Sequence, residues 1–219
     1  MSPEIIRLLW QSCLETFYMV TVSSLVSFAL GMPLGVLLTI TGKGHIKENP
    51  KVNQGVGAVI NAIRSTPFII LMVAIVPFTR WVVGSSIGTT AAIVPLTVSA
   101  TPFVARIVES SLKEVPHGVV EAALSMGSTP LEVIYKVLLP EALSGIILGL
   151  TLTVVSLIGY SAMAGVIGGG GLGDLAIRYG YQRFEEKVMI ATVVILIFIV
   201  QLVQSSGDFL SRKTDKSRL

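Results

Sequence analysis

Five long stretches of this sequence are almost free of charged residues, and they limit the possible folds more than any other feature. The stretches cover residues 16–42, 52–79, 81–105, 142–173 and 188–207. Only Arg64 interrupts one of them. A helix that spans a bilayer needs about 20 mostly apolar residues. Charged residues make up 13% of the chain, whereas an average soluble domain has about 25%. The sequence therefore predicts an integral membrane protein and excludes a disordered chain.

These stretches predict an all-α membrane domain that covers residues 1–219 and contains five transmembrane helices. We place the helices near residues 14–40, 56–79, 87–110, 141–164 and 187–209. Prolines fall in or beside the first three of them, at Pro33, Pro67, Pro77, Pro95 and Pro102. A membrane helix tolerates such breaks where it faces protein or a cavity. The prolines therefore favour a bundle that bends or lines a path.

The distribution of Lys and Arg predicts the orientation of the bundle. With five spans, eleven of these residues fall on one side of the membrane and five on the other. Cytoplasmic loops carry the excess of Lys and Arg. The C-terminal tail, with Lys216 and Arg218, lies on the basic side. We therefore predict an outside N-terminus and a cytoplasmic C-terminus, and the net charge of +3 does not imply a nucleic-acid partner.

The longest predicted cytoplasmic segment, residues 112–139, has the pattern of two short helices joined by a sharp turn. Apolar residues recur at near-helical spacing. Gly127 is typical of a left-handed residue just past a helix end. Thr129, Pro130 and Glu132 predict an N-cap, a proline at the first helical position and a capping-box glutamate. A partly apolar helix pair at a membrane surface is a docking element for a partner protein, although an interfacial helix on lipid has a similar pattern.

The same segment carries a family resemblance. Glu121, Ala122 and Ala123, then Gly127, then residues 137–140 ending in Leu139 and Pro140, resemble the EAA loop of binding-protein-dependent ABC importer permeases. The spacing agrees throughout, with Val137 in place of the usual isoleucine. The resemblance implies the type I importer permease fold, and it implies that this loop inserts into a groove on a cytosolic ATPase.

Further motifs resemble the permease subunit of methionine importers. They include residues 64–71 (RSTPFIIL), 77–80 (PFTR), 92–97 (AIVPLT), 159–163 (GYSAM), 170–173 (GGLG) and 179–181 (YGY). The likeness extends from about residue 14 to residue 208. Permeases for polar amino acids share the Arg-Ser/Gly-Thr-Pro theme, so an importer of another amino acid is the alternative.

The resemblance implies a multi-subunit importer in a bacterial inner membrane. The chain has no GxxxxGK[ST] motif, so a partner must hydrolyse ATP. The implied partners are a second copy of this permease, two copies of the cytosolic ATPase and an extracytoplasmic methionine-binding protein. ATP and Mg would be bound by the ATPase, and we expect no enzyme activity, cofactor or metal in this chain.

Two other classes are less consistent with the residues. A secondary transporter predicts an internal repeat and charged residues at the midplane. No repeat is visible, and only Arg64 qualifies. An intramembrane enzyme needs a nucleophile and a base, or paired carboxylates, at membrane depth. No His or acidic residue falls at the centre of a predicted span.

Four residues are candidates for the pathway or a gate. Arg64 lies toward the inner end of its predicted helix, where it either anchors the helix or lines the pathway. Tyr160, Ser161 and Met163 lie near the outer end of the fourth helix beside small residues, which suits either plain helix packing or a gate between two copies. The glycine run at 168–171 predicts a flexible outer loop, with contact to the binding protein as the alternative.

Overall fold

The apolar stretches form long helices in the computed structural model, which describes residues 3–214. The helices are α1 Pro3–Ile40, α2 Pro50–Arg64, α3 Phe68–Ala74, α4 Val76–Val83, α5 Thr89–Lys113, α6 His117–Ser125, α7 Pro130–Glu132, α8 Leu139–Glu141, α9 Leu143–Val166, α10 Gly171–Leu175 and α11 Glu186–Thr214. Two π-helical turns, Val133–Leu138 and Ala176–Tyr181, join neighbouring helices. No strand occurs in the described part, and the all-α prediction is confirmed. Lys216 and Arg218, which entered the charge count, lie outside the described residues.

Four helices, α1, α5, α9 and α11, are each long and apolar enough to cross a membrane. The pair α2 and α3, bent by 102° relative to one another, is a fifth candidate crossing if the two helices count as one broken span. The continuous helix predicted over 56–79 is therefore wrong, since the chain forms α2, α3 and α4 there. Pro67 causes the break, because it has no N–H and keeps the preceding residue out of the helical region.

The most extensive helix contact joins α1 to α5, and two glycines allow it. Gly31 and Gly35 lie one turn apart on the face of α1 that meets α5. A Cβ atom on Gly31 would lie 2.8 Å from the carbonyl oxygen of Thr101, and one on Gly35 would lie 2.6 Å from that of Ala105. Small residues spaced by four bring helix backbones close together in membranes. The two glycines thus set the distance between α1 and α5.

Helix α9 packs between α5 and α11 and completes the core of the bundle. Met19, Leu96 and Leu157 are fully buried in its main apolar cluster. A second cluster, around Val104, Val108 and Leu138, lies nearer the end of the bundle that carries α6. We call this the α6 end, and we call the opposite end, with residues 165–175, the glycine end.

The glycine end is held by side chains of α1. The Glu15 carboxylate accepts a hydrogen bond from the N–H of Gly171 at 2.8 Å. Thr16 Oγ1 accepts one from the N–H of Leu172 at 2.9 Å. Gly170 and Gly171 both have left-handed backbone angles, with φ of +77° and +79°. The glycine run, expected as a flexible loop, is thus packed and hydrogen-bonded against α1.

Candidate functional site

Helix α6 ends in the sharp turn that the sequence predicts. Gly127 has φ of +85°, which confirms the left-handed conformation. The N–H of Gly127 bonds to the carbonyl of Leu124, and the N–H of Ser128 bonds to that of Ala123. These two bonds form a Schellman motif, which satisfies carbonyls at the end of a helix. Pro116 lies directly before α6, at its N-cap.

The second helix of the pair begins at the predicted capping box. Thr129 Oγ1 accepts a hydrogen bond from the N–H of Glu132, and the Glu132 carboxylate accepts one from the N–H of Thr129 at 3.0 Å. Lys136 donates to the same carboxylate at 2.9 Å. The bonds from Lys136 and Thr129 lower the pKa of Glu132 to about 2. The ionised Glu132 therefore contributes stability above its ordinary pKa of 4.5, and this contribution is lost as the pH falls from 4.5 through about 2.

Leu139 and Pro140 lie where this second helix changes register before α9. The N–H of Leu139 bonds to the carbonyl of Ile134, five residues earlier, so residues 133–138 form a π-helical turn. Pro140 has no N–H with which to continue an α-helical pattern. The sequence pattern indicated a helix here but not the π-helical turn, which shifts the faces of the segment relative to α9.

One side of the segment 116–141 packs on the bundle, and the other side is open. Val120, Val133, Ile134 and Leu138 are buried in the second apolar cluster. Glu121 and Ala122 are exposed, and Ala123 is half-buried. Large apolar side chains are also exposed on this segment, and they are Val119, Leu124, Met126, Leu131 and Tyr135. Met126, beside the turn, is 85% exposed. An apolar patch of this kind outside the spans is typical of a protein-binding surface.

A buried charge network lies near the end of α5 and links it to α2, and the sequence did not predict it. Glu109, near the end of α5, is 5% exposed. Its carboxylate pairs with Arg106 and with Lys113, each at 2.6 Å. Arg106 also donates to the Asn61 side chain of α2 at 2.8 Å. The helical spacing of Arg106, Glu109 and Lys113 was the available signal, since residues three and four apart share a helix face.

A cavity of about 250 Å³ lies at the bend between α2 and α3, against α5 and α9. Arg64 and Tyr160, two of the predicted pathway residues, both line it. The Tyr160 ring stacks on Phe68, with ring centroids 4.7 Å apart. Arg64 forms no ion pair or hydrogen bond through its side chain within residues 3–214. The cavity thus combines an unpaired cation, hydroxyl groups and aromatic rings, which suits a small solute with a carboxylate and an apolar side chain.

Ser161 and Met163 do not line this cavity. The Ser161 hydroxyl is buried and donates to the carbonyl of Ile158 at 2.7 Å within α9. That contact favours the packing interpretation for Ser161. Met163 is 47% exposed on α9. Met163 is therefore available to contact a neighbouring molecule, whereas Ser161 is not.

Comparison with known proteins gives one family and several close relatives. Residues 31–216 match the family described as binding-protein-dependent transport system inner membrane component. The probable D-methionine transport system permease protein MetI of Vibrio cholerae is 59% identical over 201 residues, which cover 92% of this chain and 89% of that protein. The D-methionine transport system permease protein MetI of Escherichia coli K12 is 51% identical over 165 residues, covering 75% of this chain and 76% of that protein.

Solved structures show the same architecture. An inward-facing structure of the MetNI methionine ABC transporter contains a chain with a TM-score of 0.96 and 48% identity, covering 98% of this chain and 99% of that chain. A chain of an amino acid ABC transporter solved with histidines has a TM-score of 0.79 at 19% identity, covering 96% and 95% of the two chains. That second likeness shows a shared fold only.

Proposed function

The chain belongs to the family of inner membrane components of binding-protein-dependent transport systems, and we propose that it is the permease subunit of an ATP-driven importer of methionine. The observation that supports this most is the segment 116–141, which presents an exposed apolar surface on a rigid, capped helix pair. The likeness to permeases named for D-methionine transport, over nearly the whole chain, supports the choice of methionine.

In this proposal the segment 116–141 docks on a cytosolic ATPase. The docking residues are Glu121, Ala122, Ala123 and Gly127, with Leu139 and Pro140 setting the exit into α9. The partner binds ATP and Mg, and each permease copy meets one ATPase copy. The second apolar cluster packs the docked segment on α5, and Arg106 links α5 to α2. A displacement of the segment therefore reaches the bent helix that lines the cavity.

The translocation path lies between two copies of the permease. Five helices are too few to enclose a path, and closed two-fold dimers are the commonest way to complete one. The cavity beside Arg64 and Tyr160 is the part of the path that one copy contributes. Arg64 attracts the substrate carboxylate, and Met163 meets its symmetry mate as a gate.

We further propose that the α6 end is cytoplasmic and that the N-terminus lies outside. Lys and Arg are in excess on the α6 end, as expected for the cytoplasmic side of an inner membrane protein. The glycine end then faces outward and meets the extracytoplasmic methionine-binding protein. Its hydrogen bonds to Glu15 and Thr16 give that protein a fixed surface to dock on.

Transport by the reconstituted complex tests the substrate. The permease, its ATPase and its binding protein are placed in proteoliposomes, and ATP-driven uptake of labelled methionine is measured with other amino acids as competitors. We expect saturable uptake that unlabelled methionine suppresses and that histidine and arginine do not. Uptake of a polar amino acid in place of methionine would contradict methionine as the proposed substrate. Uptake without ATP would contradict the proposal that the transporter is driven by ATP.

Crosslinking at Met163 tests the dimer and the gate. In a Met163→Cys variant with Cys13 replaced by serine, we expect a disulfide-linked dimer whose yield changes between nucleotide-free and ATP-bound complexes. The matched control is Leu148→Cys, which lies on the same helix and is also exposed. If the yield of Met163→Cys dimer is the same in all nucleotide states, Met163 is not a gate. If no disulfide-linked dimer forms in any state, Met163 does not lie at the contact between the two copies.

A further inference from the structure

The only two histidines of the chain, His45 and His117, lie side by side although they are 72 residues apart in sequence. His45 belongs to the loop between α1 and α2, and His117 is the first residue of α6. Their ring centroids are 5.1 Å apart, with the ring planes inclined by 37°. His45 is half-buried and His117 is exposed, so solvent reaches the pair.

The ring nitrogens of this pair are available as ligands. No hydrogen bond to either imidazole occurs among residues 3–214, and neither histidine has any further unprinted partner. A metal-bound histidine usually donates its second ring N–H to a carbonyl, a carboxylate or water. Because both rings are accessible, water can take that role here.

The distance between the two ring centroids matches the distance expected for two imidazoles that bind one metal ion. A zinc–nitrogen bond is about 2.1 Å long, so two imidazoles on one tetrahedral ion have centroids roughly 5 Å apart. Rotation about the Cβ–Cγ bond allows each ring to turn a nitrogen toward the gap. Imidazole is a preferred ligand of Zn²⁺, Cu²⁺ and Ni²⁺. Within the described residues no third Cys, His, Asp or Glu joins the pair, so waters complete the coordination.

A nearby cation does not prevent binding. Lys113 lies one turn before the start of α6, and its charge acts on His45. Its ammonium group pairs with the buried Glu109 carboxylate at 2.6 Å. That ion pair offsets part of the repulsion that Lys113 exerts on a bound divalent cation.

We propose that His45 and His117 form a two-histidine site for a divalent transition metal, which clamps the α1–α2 loop to the first turn of α6. The bound ion fixes the start of α6 to the end of α1, at the base of the segment that we propose to dock on the ATPase. Restricting that segment inhibits coupling. Zn²⁺ is therefore an inhibitor of transport that acts from the α6 end. Inhibition rests on the proposed function, whereas the binding of Zn²⁺ to the two histidines does not.

Direct binding tests the site. Untagged full-length permease in detergent is titrated with Zn²⁺ against a chromophoric chelator, and Cu²⁺ spectra are recorded by electron paramagnetic resonance. We expect one Zn²⁺ per chain and a Cu²⁺ signal split by two imidazole nitrogens. His45→Gln or His117→Gln turns a two-ligand site into a single-ligand site, so the affinity should fall by about a hundredfold. Single variants that bind as tightly as the unmodified protein would overturn the site.

Two further variants keep the result interpretable. His117→Cys retains a zinc ligand, so it should restore Zn²⁺ binding if the geometry is right, and failure to restore it in a folded protein contradicts the clamp. The double variant His45→Gln/His117→Gln contains no histidine at all, and Zn²⁺ should not inhibit its uptake in proteoliposomes. If the metal binds but does not inhibit, the site stands and the coupling role is wrong.

Discussion

Replacing Gly35 with valine is expected to prevent the bundle from holding its native packing. A Cβ atom at this position lies 2.6 Å from the carbonyl oxygen of Ala105 and 2.6 Å from the Cβ of Val108. Neither contact involves the end of a flexible side chain, so α1 must move away from α5 along its whole length. Overpacking typically costs about 1–3 kcal/mol, and backbone contacts this short place Gly35→Val at the upper end of that range, which is a large part of the stability of a domain.

The measurement is the yield of monodisperse protein and its thermal midpoint in detergent, at equal expression. The matched control is Gly55→Val in α2, where no protein atom lies within 4 Å of the added Cβ. Both changes place valine inside a helix, so the difference between them isolates the contact with α5. Wild-type yield and midpoint for Gly35→Val would show that α1 does not depend on close approach to α5.

Replacing Gly127 with valine is expected to abolish coupling while the bundle still folds. The residue has φ of +85°, where a β-branched side chain is strongly disfavoured. Strain of about 1–3 kcal/mol corresponds to a native turn that is disfavoured by roughly five- to 150-fold. The added side chain meets no protein atom within 4 Å, so the effect is one of backbone conformation. Membrane level and dimerisation should remain normal, whereas substrate-stimulated ATP hydrolysis and methionine uptake should both fall about tenfold or more.

Gly118→Val is the control for this prediction. Gly118 lies inside α6, and its added Cβ also meets no protein atom within 4 Å. Gly118→Val is the same change within the same helix–turn segment, but at a position without the left-handed backbone. We expect Gly118→Val to retain most of the uptake. Equal losses in the two variants would mean that added bulk on the docking surface, and not the turn, is responsible.

The parts of the fold that the sequence predicts are those set by local chemistry. Gly127 and the capping box at Thr129 depend on residues within one turn of each other, and both are confirmed. The long apolar helices follow from the requirement that backbone groups in a bilayer bond within their own segment.

The parts that the sequence does not predict depend on contacts between distant residues. Pro67 was recognised as a breaker, but the 102° bend that it permits is fixed by how α3 packs on α5 and α9. The π-helical turn before Pro140 and the contact between the rings of His45 and His117 likewise arise only in the assembled bundle. For the candidate site, the sequence indicates the docking segment and Arg64, and the structure adds the cavity and the Glu109 network.

The hydrogen bond from Gly171 to Glu15 joins residues that are 156 positions apart, and this imposes an order on biosynthesis. The ribosome delivers α1 and α5 long before α10, so the two helices can already pair while the Glu15 carboxylate still lacks its backbone donor. Until then the carboxylate has the side-chain amide of Gln11, one turn earlier in α1, as a donor at 3.2 Å. A nascent chain that stops short of Gly171 therefore lacks the contact that fixes the glycine end to α1, and this contact forms only when α10 is complete.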